Sequence, residues 1–120
     1  IPQMGIKEFP ADAHLREVAV KCCQRANPDI QTFCGRVASG DQFINSREKK
    51  NWIRDTFDAY CTEMEGAAIA QAAYLNQIPY LIVRAISDKA DDSANVDYSE
   101  FEAKAVEHSV RLMAAMLEEL

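Results

Sequence analysis

The run Tyr80-Leu81-Ile82-Val83-Arg84-Ala85-Ile86 constrains the fold of this chain more than any other stretch. It is nearly continuous in apolar residues and rich in β-branched ones, so it reads as a strand buried on both faces, the pattern of a parallel sheet covered by helices. Two further segments read as strands: residues 30–38, where β-branched and aromatic residues outnumber helix formers, and residues 59–63. Ser39-Gly40-Asp41 ends the first of these and Asn76-Gln77-Ile78-Pro79 forms the turn before the apolar run.

Helical periodicity fills the spaces between. Leu15, Val18, Ala19, Cys22, Cys23 and Ala26 recur at three- and four-residue intervals and predict a helix over 13–26, capped by Asp12 and ended by Asn27-Pro28. Ser46 caps a second helix over 47–57, with Trp52, Ile53 and Phe57 as its apolar residues. An alanine-rich helix covers 65–76, and a long one closes the chain over 99–119. The middle is therefore strand–helix–strand–helix–strand. Crossover helices between neighbouring strands imply a parallel sheet with right-handed connections, so the fold class is α/β, with a partial three-strand sheet.

Composition narrows the function. A chain of 120 residues suffices for one compact domain, and no repeat or interdomain linker divides it. The net charge of -6 argues against nucleic acid or an anionic membrane as partner, since both call for a basic face. No apolar run approaches a membrane span and no signal peptide is visible, so a cytoplasmic setting with reduced thiols is the default. Cys22, Cys23, Cys34 and Cys61 lack metal-ligand spacing, and adjacent Cys22 and Cys23 read as small buried hydrophobes. His14 and His108 are isolated, and no metal or cofactor is expected. The opening Ile1-Pro2-Gln3-Met4-Gly5 is neither an initiator methionine nor a targeting sequence, which fits a piece of a longer protein.

In parallel sheets, ligands bind beyond the carboxyl ends of the strands. Three loops leave those ends here: Ser39–Asn45, Thr62–Glu65 and Ser87–Lys89. They bring an aromatic ring, Phe43, and the carboxylates Glu65 and Asp88 to one edge. Each has an ordinary reading as well. Phe43 suits a core position as readily as a stacking platform for a flat base. Asp88 suits a turn at a strand end. Thr62 with Glu65 three residues on forms a capping box for the alanine-rich helix. Taken together, two carboxylates at one crevice are equipped for acid–base work or for anchoring hydroxyls.

A calcium loop is a decoy. Asp91, Ser93, Asn95, Asp97, Ser99 and Glu102 occupy the ligand positions of the template, but Val96 stands where the sharp turn needs glycine, and a strand precedes the loop. Ser99 and Glu102 also read as a capping box for the last helix.

Three ordered motifs carry a resemblance. Ser39-Gly40-Asp41-Gln42-Phe43-Ile44-Asn45, Glu63-Met64-Glu65-Gly66-Ala67-Ala68-Ile69-Ala70 and Arg84-Ala85-Ile86-Ser87-Asp88-Lys89-Ala90-Asp91 together closely resemble the methylthioadenosine/S-adenosylhomocysteine nucleosidases, within the nucleoside phosphorylase superfamily. The resemblance spans the chain but corresponds to the carboxyl-terminal half of such a protein, one portion of a single nucleosidase domain. It implies a three-layer α/β fold and hydrolysis of an N-glycosidic bond with release of adenine.

Residue roles follow from the same resemblance. Asp88 resembles the general acid that protonates N7 of the leaving adenine, with Ser87 orienting it. Glu65 resembles the carboxylate on the ribose hydroxyls, with Met64 against the sugar and Glu63 a supporting polar group. Phe43 resembles the ring that stacks on adenine and the Ile44 backbone the reader of the base edge. Arg84 resembles a residue beside the attacking water, and Pro2 belongs to a loop that reaches the neighbouring subunit of a homodimer. The glutamate that activates water would come from the other half, so these residues by themselves are expected to be inactive. Within the superfamily, a purine nucleoside phosphorylase and a futalosine hydrolase are alternatives; a non-catalytic nucleoside-binding or assembly module is the rival from outside enzymology.

Overall fold

A computed structural model describes residues 1–86 and 98–120. Its elements run α1 (Ala13–Ala26), β1 (Arg36–Ser39), α2 (Arg47–Phe57), β2 (Ala59–Glu63), α3 (Gly66–Leu75) and α4 (Tyr98–Glu119). The caps read from sequence set the starts of the first two helices: Asp12 Oδ2 accepts from the Leu15 N–H at 2.9 Å, and Ser46 Oγ accepts from the Lys49 N–H at 3.2 Å. Asp58, in the left-handed conformation at φ 54°, ends α2 and turns the chain directly into β2.

β1 and β2 pair in parallel, joined by α2, with Ala38 opposite Thr62 and Ser39 opposite Glu63. This is an α/β arrangement with a small parallel sheet, as expected. The strands themselves need two corrections. The first runs over Arg36–Ser39 rather than residues 30–38, because its partner β2 begins only at Ala59, opposite Arg36.

The second concerns residues 80–86. They form no strand, although they are the most strand-like residues in the sequence. Their apolar character sets a preference for extended, covered backbone, but a strand exists only where a neighbour completes its hydrogen-bond ladder. Among the described residues β2 pairs with β1 alone. The segment instead acts as a strap. Tyr80 O accepts from the Asp12 N–H at 2.9 Å, tying the strap to the start of α1. Tyr80 Oη donates to Phe9 O, and the Phe9 ring lies 5.4 Å from that of Tyr74 on α3. Its burial is partial and confined to its start: Leu81 and Ile82 are half-buried, whereas Val83 and Ile86 are exposed.

The apolar core lies between α1 and α4. Val18, Ala19 and Cys22 pack against Leu112 and Met116, with Leu81 of the strap, Cys23 and Ala115 around them. Cys22 is wholly buried, as its place on the apolar face of α1 implies. At the end of α1, buried Asn27 donates from Nδ2 to His108 O at 3.0 Å, and His108 Nε2 lies 2.9 Å from Asp29 Oδ2. Arg25, in the last turn of α1, pairs with Glu119 at 3.1 Å. A second face of α4, carrying Val106, Val110, Met113 and Leu117, is exposed. No helix among the described residues is long and apolar enough to cross a membrane.

One cap assignment also changes. The chain is already helical at Tyr98, where the described residues resume, so Ser99 stands inside α4 and not at its cap. The calcium-template positions Asp91, Ser93, Asn95 and Asp97 lie outside the described residues.

Candidate functional site

The parallel register brings the carboxyl ends of β1 and β2 side by side, and the pairing continues one residue beyond β1, where the Gly40 N–H donates to Glu63 O at 3.1 Å. Two loops therefore leave the same edge: residues 40–45, which carry Phe43 and Ile44, and the link Met64-Glu65 between β2 and α3.

The start of α3 is organised by residues that local sequence rules do not single out. Its first N–H groups have no intrahelical partner and need acceptors. The expected capping box between Thr62 and Glu65 is absent: Glu65 occupies the N-cap position with no side-chain cap bond. Glu63 takes its place. Its Oε2 accepts from the Glu65 N–H at 3.0 Å and from the Gly66 N–H at 2.7 Å. Ser39 Oγ, at the end of the neighbouring strand, donates to Glu63 Oε1 and accepts from the Ala67 N–H at 2.8 Å. Three donors at the helix start are thus met by one carboxylate and one hydroxyl. The reason is geometric: Glu63 is the last residue of β2 and buried, so its side chain already lies beneath the helix end, whereas Glu65 sits on the outside of the turn.

Burial pushes the Glu63 carboxyl up, but the Ser39 hydroxyl, the two backbone N–H groups and the Arg84 charge outweigh it and hold the group below its ordinary range. Glu63 is therefore an anion in the protein at neutral pH. The adjacent Cys61 thiol is pushed up, first by burial and then by the Glu63 charge, with Arg84 opposing.

With capping delegated, Glu65 is free to face outward. Its carboxylate lies 3.6 Å from Arg84 Nη2, and both side chains are substantially exposed. The structure thus brings Glu63, Glu65 and Arg84 to one edge of the sheet. Met64 is exposed between them, and Phe43 is 69% exposed. Ile44 is half-buried and lines a neighbouring groove of about 440 Å³ together with Gln42, Ser46, Glu48, Lys49, Trp52 and Ile53. Pro2 is exposed. Ser87 and Asp88 lie outside the described residues. Among the described residues, no group of three or more His, Cys, Asp or Glu is placed to hold a metal ion.

Sequence reasoning passed over Ser39 and Gly66 as individual functional positions. A Cβ on Gly66 would come within 2.7 Å of Glu63 Oε1, so glycine is what lets the carboxylate reach beneath the helix. The available signal was an acidic residue three places before the glycine at the helix start; the Ser39 contribution crosses between strands and leaves no local trace.

The family model of the Phosphorylase superfamily matches residues 2–119. The 5'-methylthioadenosine/S-adenosylhomocysteine nucleosidase of Bacillus cereus strain B4264 is 41% identical over 113 residues, which is 93% of this chain and 48% of that protein. Among solved structures, a mutant of the Helicobacter pylori methylthioadenosine nucleosidase with 5'-methylthioadenosine in its active site matches all of this chain and 51% of its own, at 32% identity and a TM-score of 0.86. The native futalosine hydrolase of Helicobacter pylori strain 26695 matches all of this chain and 50% of its own, at 32% identity and a TM-score of 0.85. The chain spans about half the length of the relatives it matches.

Proposed function

The chain belongs to the phosphorylase superfamily, and on that premise we propose that it is the carboxyl-terminal portion of an N-glycosyl hydrolase that cleaves methylthioadenosine and S-adenosylhomocysteine and releases adenine. What supports this reading is the exposed Glu65–Arg84 pair at the carboxyl end of β2, with the exposed Phe43 on the loop that leaves the carboxyl end of the neighbouring β1.

In this reading the Phe43 ring stacks on the flat adenine and the Ile44 backbone reads its edge, while Met64 lies against the sugar. Glu65 accepts hydrogen bonds from the ribose hydroxyls. As the bond from C1' to the base lengthens, positive charge grows on the sugar, and an ionised Glu65 stabilises that charge more than it stabilises the ground state. Asp88, oriented by Ser87, donates a proton to N7, because adenine leaves poorly as an anion; Arg84 lies beside the attacking water. The carboxylate that activates this water belongs to the half of the domain that relatives possess and these residues do not supply. No cofactor is required. The working enzyme is a cytoplasmic homodimer in which the Pro2 segment reaches the neighbouring site.

Futalosine hydrolysis is the second reading, favoured by the similarity to the Helicobacter pylori hydrolase. A phosphorylase differs in needing phosphate as the nucleophile. The test is calorimetric titration of this chain with adenine, methylthioadenosine and futalosine, followed by adenine-release assays with and without phosphate. Binding of methylthioadenosine that is lost in Phe43→Ala supports the reading; equal binding by that variant overturns it. Release of adenine by the chain alone would overturn the assignment of the water-activating group to the other half.

A further inference from the structure

We infer that Ser39 is a positioning residue for the sugar-facing Met64-Glu65 link, acting through Glu63. The inference rests on the reading of Glu65 as the sugar anchor and adds to it the device that leaves Glu65 available.

A carboxylate at the N-cap of a helix normally has a second occupation, because the unpaired N–H groups of the first turn compete for it. Here three of those groups, on Glu65, Gly66 and Ala67, are already met. Glu63 Oε2 takes the Glu65 and Gly66 N–H groups, and Ser39 Oγ takes that of Ala67. Ser39 has a single hydroxyl proton and gives it to Glu63 Oε1. That bond fixes the rotation of the carboxylate, so its other oxygen faces the helix start. Each part depends on the others: without the Ser39 proton, Glu63 has one oxygen unpartnered in a buried setting, and Ala67 loses its acceptor. The clamp joins the end of β1, the end of β2 and the first turn of α3, and the Met64-Glu65 link is the segment it spans. Glu63, held on both oxygens, acts on the sugar only through the position of Glu65.

The test is backbone amide hydrogen exchange, followed by NMR on the 120-residue chain, for wild type, Ser39→Ala, Ser39→Thr and Glu63→Gln. Ser39→Ala is expected to speed exchange at Gly66 and Ala67 by about tenfold, the effect of one lost hydrogen bond. Exchange at Cys22 and Met116 in the apolar core stays at its wild-type rate. Ser39→Thr, which keeps the hydroxyl, restores slow exchange, and Glu63→Gln accelerates the Gly66 amide. The Glu63 carboxyl titrates at higher pH in Ser39→Ala than in wild type. Unchanged exchange in Ser39→Ala, equal acceleration throughout α1 and α4, or failure of threonine to rescue each overturns the inference. Addition of methylthioadenosine to the wild-type chain reads the other premise: no shift of the Glu65 amide counts against the nucleoside site, while the exchange data still decide the clamp.

Discussion

The Arg84 guanidinium stands 3.6 Å from the Glu65 carboxylate, so the strap and the first turn of α3 meet at the candidate sugar site. Both groups are solvated, and an exposed ion pair of this kind contributes at most about 1 kcal/mol, less at high salt. Arg84→Ala is therefore expected to change urea stability by less than about 1 kcal/mol while weakening nucleoside binding measured by calorimetry. A large stability loss would mean that the pair serves the fold.

Glu63 links stability to pH. Its folded-state pKa is depressed, so its contribution is present above the unfolded value, about 4.3 for a glutamate, and is lost as pH falls through the folded value. Urea midpoints of the wild-type chain should fall between roughly pH 5 and pH 3, and the fall should be shallower in Glu63→Gln. Identical slopes in the two proteins would contradict the assignment.

Gly66→Ala sets two effects against each other. Alanine favours a helix by about 1 kcal/mol over glycine. Its Cβ, however, would stand 2.7 Å from Glu63 Oε1 and displace a buried carboxylate that holds two N–H groups and the Ser39 hydroxyl. Leaving such groups unmet costs about 1–3 kcal/mol, so the variant is expected to be less stable in urea denaturation.

The two faces of α4 should respond differently. Leu112 is buried against α1, and Leu112→Ala is expected to cost about 2–5 kcal/mol. Leu117 is 76% exposed, and Leu117→Ala should stay within about 0.5 kcal/mol of wild type. Denaturation midpoints of the two variants check both.

For a complete enzyme carrying these residues, Asp88→Asn is expected to lower the rate of adenine release by about 10²–10⁴-fold, the usual worth of general acid catalysis. Methylthioadenosine binding should remain measurable by calorimetry. Wild-type turnover in that variant would remove Asp88 from the acid role.

Where the sequence was informative, the information was local. Asp12 and Ser46 announce α1 and α2 because a cap and a helical period lie within a few residues of each other. The 80–86 segment failed as a strand because pairing is decided by what lies alongside, and composition records only the preference. The Thr62–Glu65 capping box failed for a related reason. Spacing identifies residues able to cap a helix, but Glu63 was better placed, being fixed at the end of β2 with its carboxylate already under the turn. Ser39 was legible as part of a motif and not as a partner of α3, since that contact spans 28 residues.

The strap joins two groups of the described elements. On one side α1 and α4 enclose the apolar core; on the other, β1, α2, β2 and α3 hold the candidate site. Residues 80–86 touch both, through Leu81 at the core and Arg84 at Glu65. Opening of one group need not carry the other with it, because among the described elements the extensive packing lies within each group and not between them. The persistence of the candidate site is then governed by its own hydrogen bonds, and strengthening the core is expected to lengthen the life of the helical pair while leaving that of the candidate site unchanged.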